Sequence, residues 1–243
     1  MRTPADVLSA LVGDDPTQPA LTFYDDTPGV TQGERIELSR KVLATWVAKA
    51  ANALQESYDC EPGTVVHLDI PAPHWRLTYW ALAIWSIGAT VTVDAFEGAD
   101  VLVTTSPEQA HSQDADGVIA VALPGLARDY GGSLRSGVMD EAREISAFAD
   151  SFDAWDTPEP DEAALVIGGT RTTYADLVES AQHAVPQTAS PARVLVTQQF
   201  PGPFLLSVLG IWAGRGSVVM VRGATPDLGD PRMQSEGVQH TIS

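Results

Sequence analysis

Two stretches of this chain can be laid over one another without a gap. Val66–Val93 and Val194–Val221 match at an offset of 128 residues, which pairs Val66 with Val194, Pro73 with Pro201, Gly88 with Gly216, Val91 with Val219 and Val93 with Val221. Each copy reads as a strand, a proline-containing loop, an apolar helix, a glycine and a second strand. Upstream, Ala20-Leu21 corresponds to Ala164-Leu165, and Arg35–Ser39 to Arg171–Ala175. Apolar strands alternating with helices build largely parallel sheets covered by helices on their faces. A unit of this kind occurring twice predicts an α/β fold of two similar halves, with mainly parallel sheets flanked by helices.

The remaining elements follow from periodicity and turn chemistry. Residues 4–15 form an amphipathic helix with Val7, Leu8 and Leu11 on one side. Pro19–Tyr24 and Val30–Leu38 are strands of a hairpin around Asp25-Asp-Thr-Pro-Gly29. Ser39 is an N-cap for a long helix whose stripe is Val42, Leu43, Trp46, Val47, Ala50 and Leu54. Val65–Ile70, Thr90–Asp94, Val101–Thr104 and Val118–Ala122 read as strands, Leu77–Ile87 as a helix capped by Gly88. The domain reading is a first α/β half (1–123), an acidic connector (124–160) with one helix around Asp140–Phe148, a second half (161–223) and a loose polar tail (224–243).

Charge narrows the functional classes. The formal net charge is −18, and residues 97–162 hold fifteen acidic residues against three arginines. Such a surface disfavours nucleic acid and anionic membranes. It repels ATP or coenzyme A unless a basic pocket compensates, and no run of Lys and Arg announces one. The single cysteine, Cys60, excludes an internal disulfide and a multi-cysteine metal site. The N-terminus lacks an apolar signal region, and no apolar stretch reaches the ~18 residues of a membrane span, so a cytoplasmic location is expected.

The turn after Leu165–Ile167 is the first candidate site. Gly168, Gly169, Thr170, Arg171, Thr172 and Thr173 lead from a buried strand towards a helix beginning near Tyr174, a geometry in which backbone amides can cradle a phosphate. A second candidate is His74 with Trp75, beyond the end of the first parallel strand, where ligands of such sheets bind. The five histidines (His67, His74, His111, His183 and His240) show no metal-ligand spacing, so no metal is expected. No nucleophile elbow is present. Gly210, Gly214 and Gly216 end a helix instead of opening one, the reverse of a dinucleotide loop. Trp75, Trp80 and Trp85 read as core.

With those elements placed, Pro19–Val93 resembles the N-terminal portion of adenylate-forming enzymes, the acyl- and aryl-CoA synthetases, luciferases and adenylation domains. The likeness rests on the opening hairpin, the helix Arg35–Leu54, Glu61-Pro-Gly-Thr-Val-Val66, and Ala83-Ile-Trp-Ser-Ile-Gly-Ala89 before a strand. Asp100-Val-Leu-Val-Thr104, Pro160-Asp-Glu-Ala-Ala-Leu-Val and Leu209-Gly-Ile-Trp-Ala-Gly-Arg-Gly-Ser-Val-Val-Met-Val extend it over most of 19–223. In that family a loop of the form Thr-Ser-Gly-Thr-Thr-Gly-x-Pro-Lys-Gly wraps the nucleotide phosphates. Gly168–Thr173 stands in its place without the second glycine, the proline or the lysine. Only Lys41 and Lys49 occur, both on the first long helix, so neither the loop lysine nor the family's C-terminal catalytic lysine is present. The resemblance therefore implies a truncated, non-catalytic relative with no catalytic residues and no cofactor, acting in binding or protein interaction, as a homodimer or with a protein partner. Two alternatives stay open. One is an acyl-AMP or acyl-CoA ligase using ATP and Mg through Thr170, Arg171, Thr172 and Thr173. The other is a sensor that binds a small molecule.

Overall fold

The two copies of the repeat exchange their hairpins. In the computed structural model, which describes residues 1–94, 98–109, 115–186 and 191–243, helix α1 (Pro4–Asp14) precedes the hairpin β1 (Pro19–Asp25) and β2 (Glu34–Ser39). The first copy continues through α2 (Arg40–Tyr58), β3 (Val65–Asp69), α3 (Trp75–Ile87) and β4 (Thr90–Thr92). The second copy is the hairpin β8 (Ala163–Ile167) and β9 (Thr170–Thr173), then α5 (Tyr174–His183), β10 (Arg193–Val196), α6 (Pro201–Ala213) and β11 (Ser217–Arg222). β1 runs parallel to β11, with Leu21 opposite Val218, and β8 runs parallel to β4, with Leu165 opposite Val91. Each hairpin thus completes the sheet of the other copy.

The chain accordingly divides into two compact units that are not its consecutive halves. One comprises Thr45–Ile70 and Tyr79–Ala175 (with Met1), the other Arg2–Ala44, Pro71–Thr78 and Asp176–Ser243. The first unit holds a seven-stranded sheet that also takes in β5 (Val101–Thr104), β6 (Gly117–Ala120) and β7 (Val138–Asp140), in the order β7-β6-β5-β3-β4-β8-β9. All its pairs are parallel except the β8–β9 hairpin. The central strands are buried along their length, as a sheet covered on both faces requires.

Much of the connector lies along α2. Lys49 Nζ donates to the carbonyls of Ser146 and Phe148 (3.1 and 2.6 Å), Asn52 Nδ2 to those of Ala149 and Ser151 (3.1 and 2.8 Å), and Gln55 Nε2 to that of Asp153 (3.2 Å). Residues three apart share a helix face, so this polar row satisfies an extended segment that has no strand partner of its own. The helix expected around 140–148 shortens to α4 (Glu141–Glu144) and a single 3₁₀ turn. On α2, Leu43, Val47, Ala50 and Leu54 are buried as expected, whereas Val42 faces solvent.

The second unit holds the order β12-β10-β11-β1-β2. Its edge strand β12 (His240–Ile242) comes from the segment expected to be a loose tail. That segment also forms α7 (Pro231–Ser235), capped by the Asp230 carboxylate, and Met233 is wholly buried against Leu195, Val219 and Val221. A few apolar residues in a polar stretch are enough to dock it when they meet an uncovered sheet face.

Equivalent bonds secure the two copies. Trp85 Nε1 donates to the carbonyl of Ala164 (2.8 Å), and Trp212 Nε1 to that of Ala20 (3.0 Å). Each buried indole thereby ties the helix of one copy to the first strand of the other copy's hairpin, inside a single unit. Strand pairing also refines the register. Val66 faces Val91 and Val194 faces Val218, so the offset of 128 holds for β3 and β10 but is one less from Trp85 and Trp212 onward. The loop before α6 is one residue shorter, and Gly88 corresponds to Arg215, not Gly216. Trp85→Phe and Trp212→Phe should each lower unfolding free energy by about 1–3 kcal/mol, since each strands a buried carbonyl. Urea titration of the two variants checks this, with similar losses expected in both.

Candidate functional site

Gly168 and Gly169 form a two-residue turn with both φ positive (55° and 78°), the conformation that a tight hairpin demands. The four residues after them are strand β9, opposite Ile167, Val166, Leu165 and Ala163. Gly168–Thr173 is therefore the turn and second strand of a hairpin. Arg171 faces Val166 much as Glu37 faces Thr22 in the other hairpin, so its counterpart is Glu37 and not Arg35. Its guanidinium donates to the carbonyl of Asp161. The Gly168 amide donates to the Asp94 carboxylate (2.7 Å), a group that repels phosphate. At the start of α5 the amides of Tyr174 and Ala175 donate to the carbonyls of Glu162 (3.0 Å) and Pro160 (2.9 Å). Those N–H groups, which an anion would need, are already bonded.

His74 and Trp75 are buried. The His74 ring lies 4.7 Å from that of Phe23, and the Arg76 guanidinium sits 4.4 Å above the Trp75 ring. Trp80 and Trp85 are core residues, as expected. Cys60 is buried too, and burial first, then Asp100 and Asp59, push its thiol up to about 12, which leaves it protonated and unreactive. No group of three metal-ligating side chains occurs among the described residues; His111 lies outside them.

The second unit instead assembles a site that no run of basic residues announces. An open cleft of about 680 Å³ lies at the N-terminal ends of β1, β10 and β11, lined by Arg35, Arg40, Arg193 and Arg215 with Tyr24, Glu37 and Glu236. Four of the chain's arginines meet there against three carboxylates, Glu37 and Glu236 in the lining and Asp14 bonded to Arg40 and Arg215. Arg40, buried at the start of α2, donates to the carbonyls of Leu11 (3.2 Å) and Arg215 (3.0 Å) and to Asp14 (2.9 Å). Its Nε has no hydrogen-bond partner among the described residues. Arg215 reaches the other oxygen of Asp14 (2.9 Å). Behind them, Glu236 follows α7 and accepts from the Tyr24 hydroxyl (2.5 Å), from Arg35 (2.8 Å) and from Arg193. Burial alone would raise the Glu236 carboxyl, but these three donors outweigh it and hold it at about 2. These arginines are spread from residue 35 to residue 215, so only the exchanged hairpin brings them together. Arg215 gave no signal beforehand, because the gapless alignment pairs Gly88 with Gly216.

The topology defines the class. This is the fold of the N-terminal domain of adenylate-forming enzymes. An acyl-CoA synthetase from Brucella canis superimposes with a TM-score of 0.72 at 17% identity, over 97% of this chain and 46% of that one. Acetoacetyl-CoA synthetase from Streptomyces lividans gives 0.71 at 20% identity, over 94% and 39%. The N-terminal subdomain of NpsA from Klebsiella oxytoca, solved with anthranilyl-AMSN, gives 0.65 at 14%, over 99% and 59%. The chain thus spans less than two thirds of each of these solved proteins. No family model matches the chain. A Mycobacterium tuberculosis protein described as a TIGR03089 family protein is 32% identical over 248 residues, covering 97% of this chain and 96% of the relative. The chain belongs to the TIGR03089 family.

The Glu236 carboxyl titrates lower folded than unfolded, so its stabilisation is present above the ordinary carboxylate range and disappears as pH falls towards 2. Glu236→Gln should therefore destabilise the protein at neutral pH. Thermal melts from pH 7 downward should show the gap from the parent narrowing below about 4.5 and closing near 2. A gap independent of pH would mean that the charge is not what holds α7.

Proposed function

We propose that this protein has the adenylate-former fold but works by binding a small molecule, without activating it on ATP. The observation that carries the reading is the hairpin Ala163–Thr173. Its strands use the backbone for pairing, its turn amide is held by Asp94, and the helix behind it has its first amides bonded to carbonyls. A triphosphate needs free amides, flexible glycines and a cation in one place. The chain's two lysines are both on α2, and Lys49 is bound to two carbonyls and to Asp150.

Binding without catalysis is a reasonable use of this part of the fold. The Klebsiella N-terminal subdomain was solved with anthranilyl-AMSN, so a comparable portion of another protein holds a ligand. In this chain the cleft in the second unit has the volume of a small-molecule site. The retained scaffold then supplies rigid positioning, and the arginines supply affinity.

Calorimetry with Mg-ATP should give no saturable heat, and pyrophosphate exchange should stay at background across a panel of aliphatic and aromatic carboxylic acids. Exchange with any acid, or micromolar Mg-ATP binding lost in Gly168→Val, would establish an active nucleotide site and overturn the reading.

A further inference from the structure

We propose that the arginine-lined cleft of the second unit binds a small molecule through an oxyanion group, a phosphate or a carboxylate, gripped by Arg35 and Arg215. The proposal rests on the binding role argued above, but not on the absence of adenylation.

The cleft's arginines fall into two kinds. Arg40 and Arg193 have side chains only 7% and 15% exposed, and their bonds tie α1, α7 and the sheet together. They are staples. The Arg35 and Arg215 side chains are 44% and 54% exposed; Arg215 pairs with Asp14 (37% exposed), and Arg35 pairs with Glu37 (40% exposed) as well as with buried Glu236. The two exposed pairs are weak, and an incoming oxyanion can take the place of the rim carboxylate. Guanidinium forks match the spacing of both phosphate and carboxylate oxygens. On a chain carrying −18, four arginines gather at this cleft against three carboxylates, Glu37, Glu236 and Asp14, so the local balance is positive. At the nearby C-terminus of α6 the carbonyls of Gly210, Ile211 and Trp212 accept from the amides of Gly214, Gly216 and Arg215, and that of Ala213 from Arg2.

The backbone supplies independent support. Arg215 has φ of 63°, in the left-handed region that residues other than glycine seldom adopt. At the same point of the other copy stands Gly88, with φ of 92°. Glycine is the unstrained residue for that position, yet this copy carries there a half-exposed arginine that lines the cleft. Strain retained at a ligand-facing position points to use of the side chain.

The strain also makes the test sharp. Inorganic phosphate and succinate are titrated separately into the full chain at low ionic strength, with chloride as the control, following amide shifts by NMR. Saturable one-to-one binding of either is expected, with shifts at Gly216, Ser217 and Gln239 that chloride does not reproduce, and the stronger of the two identifies the oxyanion. Arg215→Gly should weaken binding about tenfold or more, the loss of one charge-assisted contact, while the melting temperature holds or rises. A purely structural arginine would give the opposite pattern, lower melting with no change in binding. Arg35→Gln, on the edge strand β2, should weaken binding likewise and decides the matter should the glycine variant fail to fold. Absence of saturable binding by both anions, or binding equal in both variants and the parent, would overturn the proposal. Neither result bears on pyrophosphate exchange, so failure here and failure of the non-catalytic reading are separable.

Discussion

Each sheet of this protein is finished by a hairpin that belongs, in sequence, to the other copy of the repeat. The parallel pairs β1–β11 and β4–β8 make that exchange, and the indole bonds of Trp212 and Trp85 to Ala20 and Ala164 secure it. A parallel pair has to be closed by a long connection. Here the connections are the rest of the chain, so neither copy contains a complete sheet. The order of elements cannot be cut at the connector without stranding two edges, each a row of unpaired backbone groups. The acidic segment 124–160 is therefore not a tether between finished halves. Its first part supplies edge strand β7, and its later part is held along α2 by Lys49, Asn52 and Gln55.

The same exchange determines where charge collects. Arg35 lies on β2 and Arg193 on β10, at opposite sides of β1 and β11, and the C-terminal segment delivers Glu236 between them. Arg40 and Arg215 meet through Asp14 of α1. An acidic protein thus gains a local excess of arginine from contacts between residues up to about two hundred positions apart, a property of tertiary structure that net charge does not reveal.

Much of the fold could be read from the residues because it depends on local rules. Alternating apolar strands and helices, the Ser39 cap, the stop at Gly88 and the buried Trp75–Trp85 helix all come from short-range periodicity and turn chemistry, and the structure places them close to where they were expected. Partner choice among strands is non-local and was not readable, so two consecutive halves were expected where two interleaved units exist. The tail failed for a related reason: residues 224–243 are polar on average, but one buried Met233 and one bonded Glu236 are enough to fasten them. Two glycines after a strand serve a tight hairpin as well as an anion nest, so the residues of Gly168–Thr173 alone left both open, and the antiparallel ladder to β9 supplies the hairpin.

A slip of one residue separated the sequence from its site. The gapless alignment matched Gly88 with Gly216, which makes both copies look alike at the end of the helix and gives Arg215 no role. Strand pairing moves that correspondence to Gly88 and Arg215, both left-handed. The Ala89 amide bonds the Ile84 carbonyl and the Gly216 amide that of Ile211, confirming the shift. Gly216 has its own constraint, since a Cβ there would meet the Ala192 carbonyl at 2.5 Å. Two glycines of similar appearance thus answer different demands, one of conformation and one of space. The second copy met the conformational demand with an arginine, in a protein that has only fourteen basic side chains besides its histidines. The residue that meets the conformational demand also sets a half-exposed guanidinium on the wall of the cleft, so one position answers to the turn and to the charge around it.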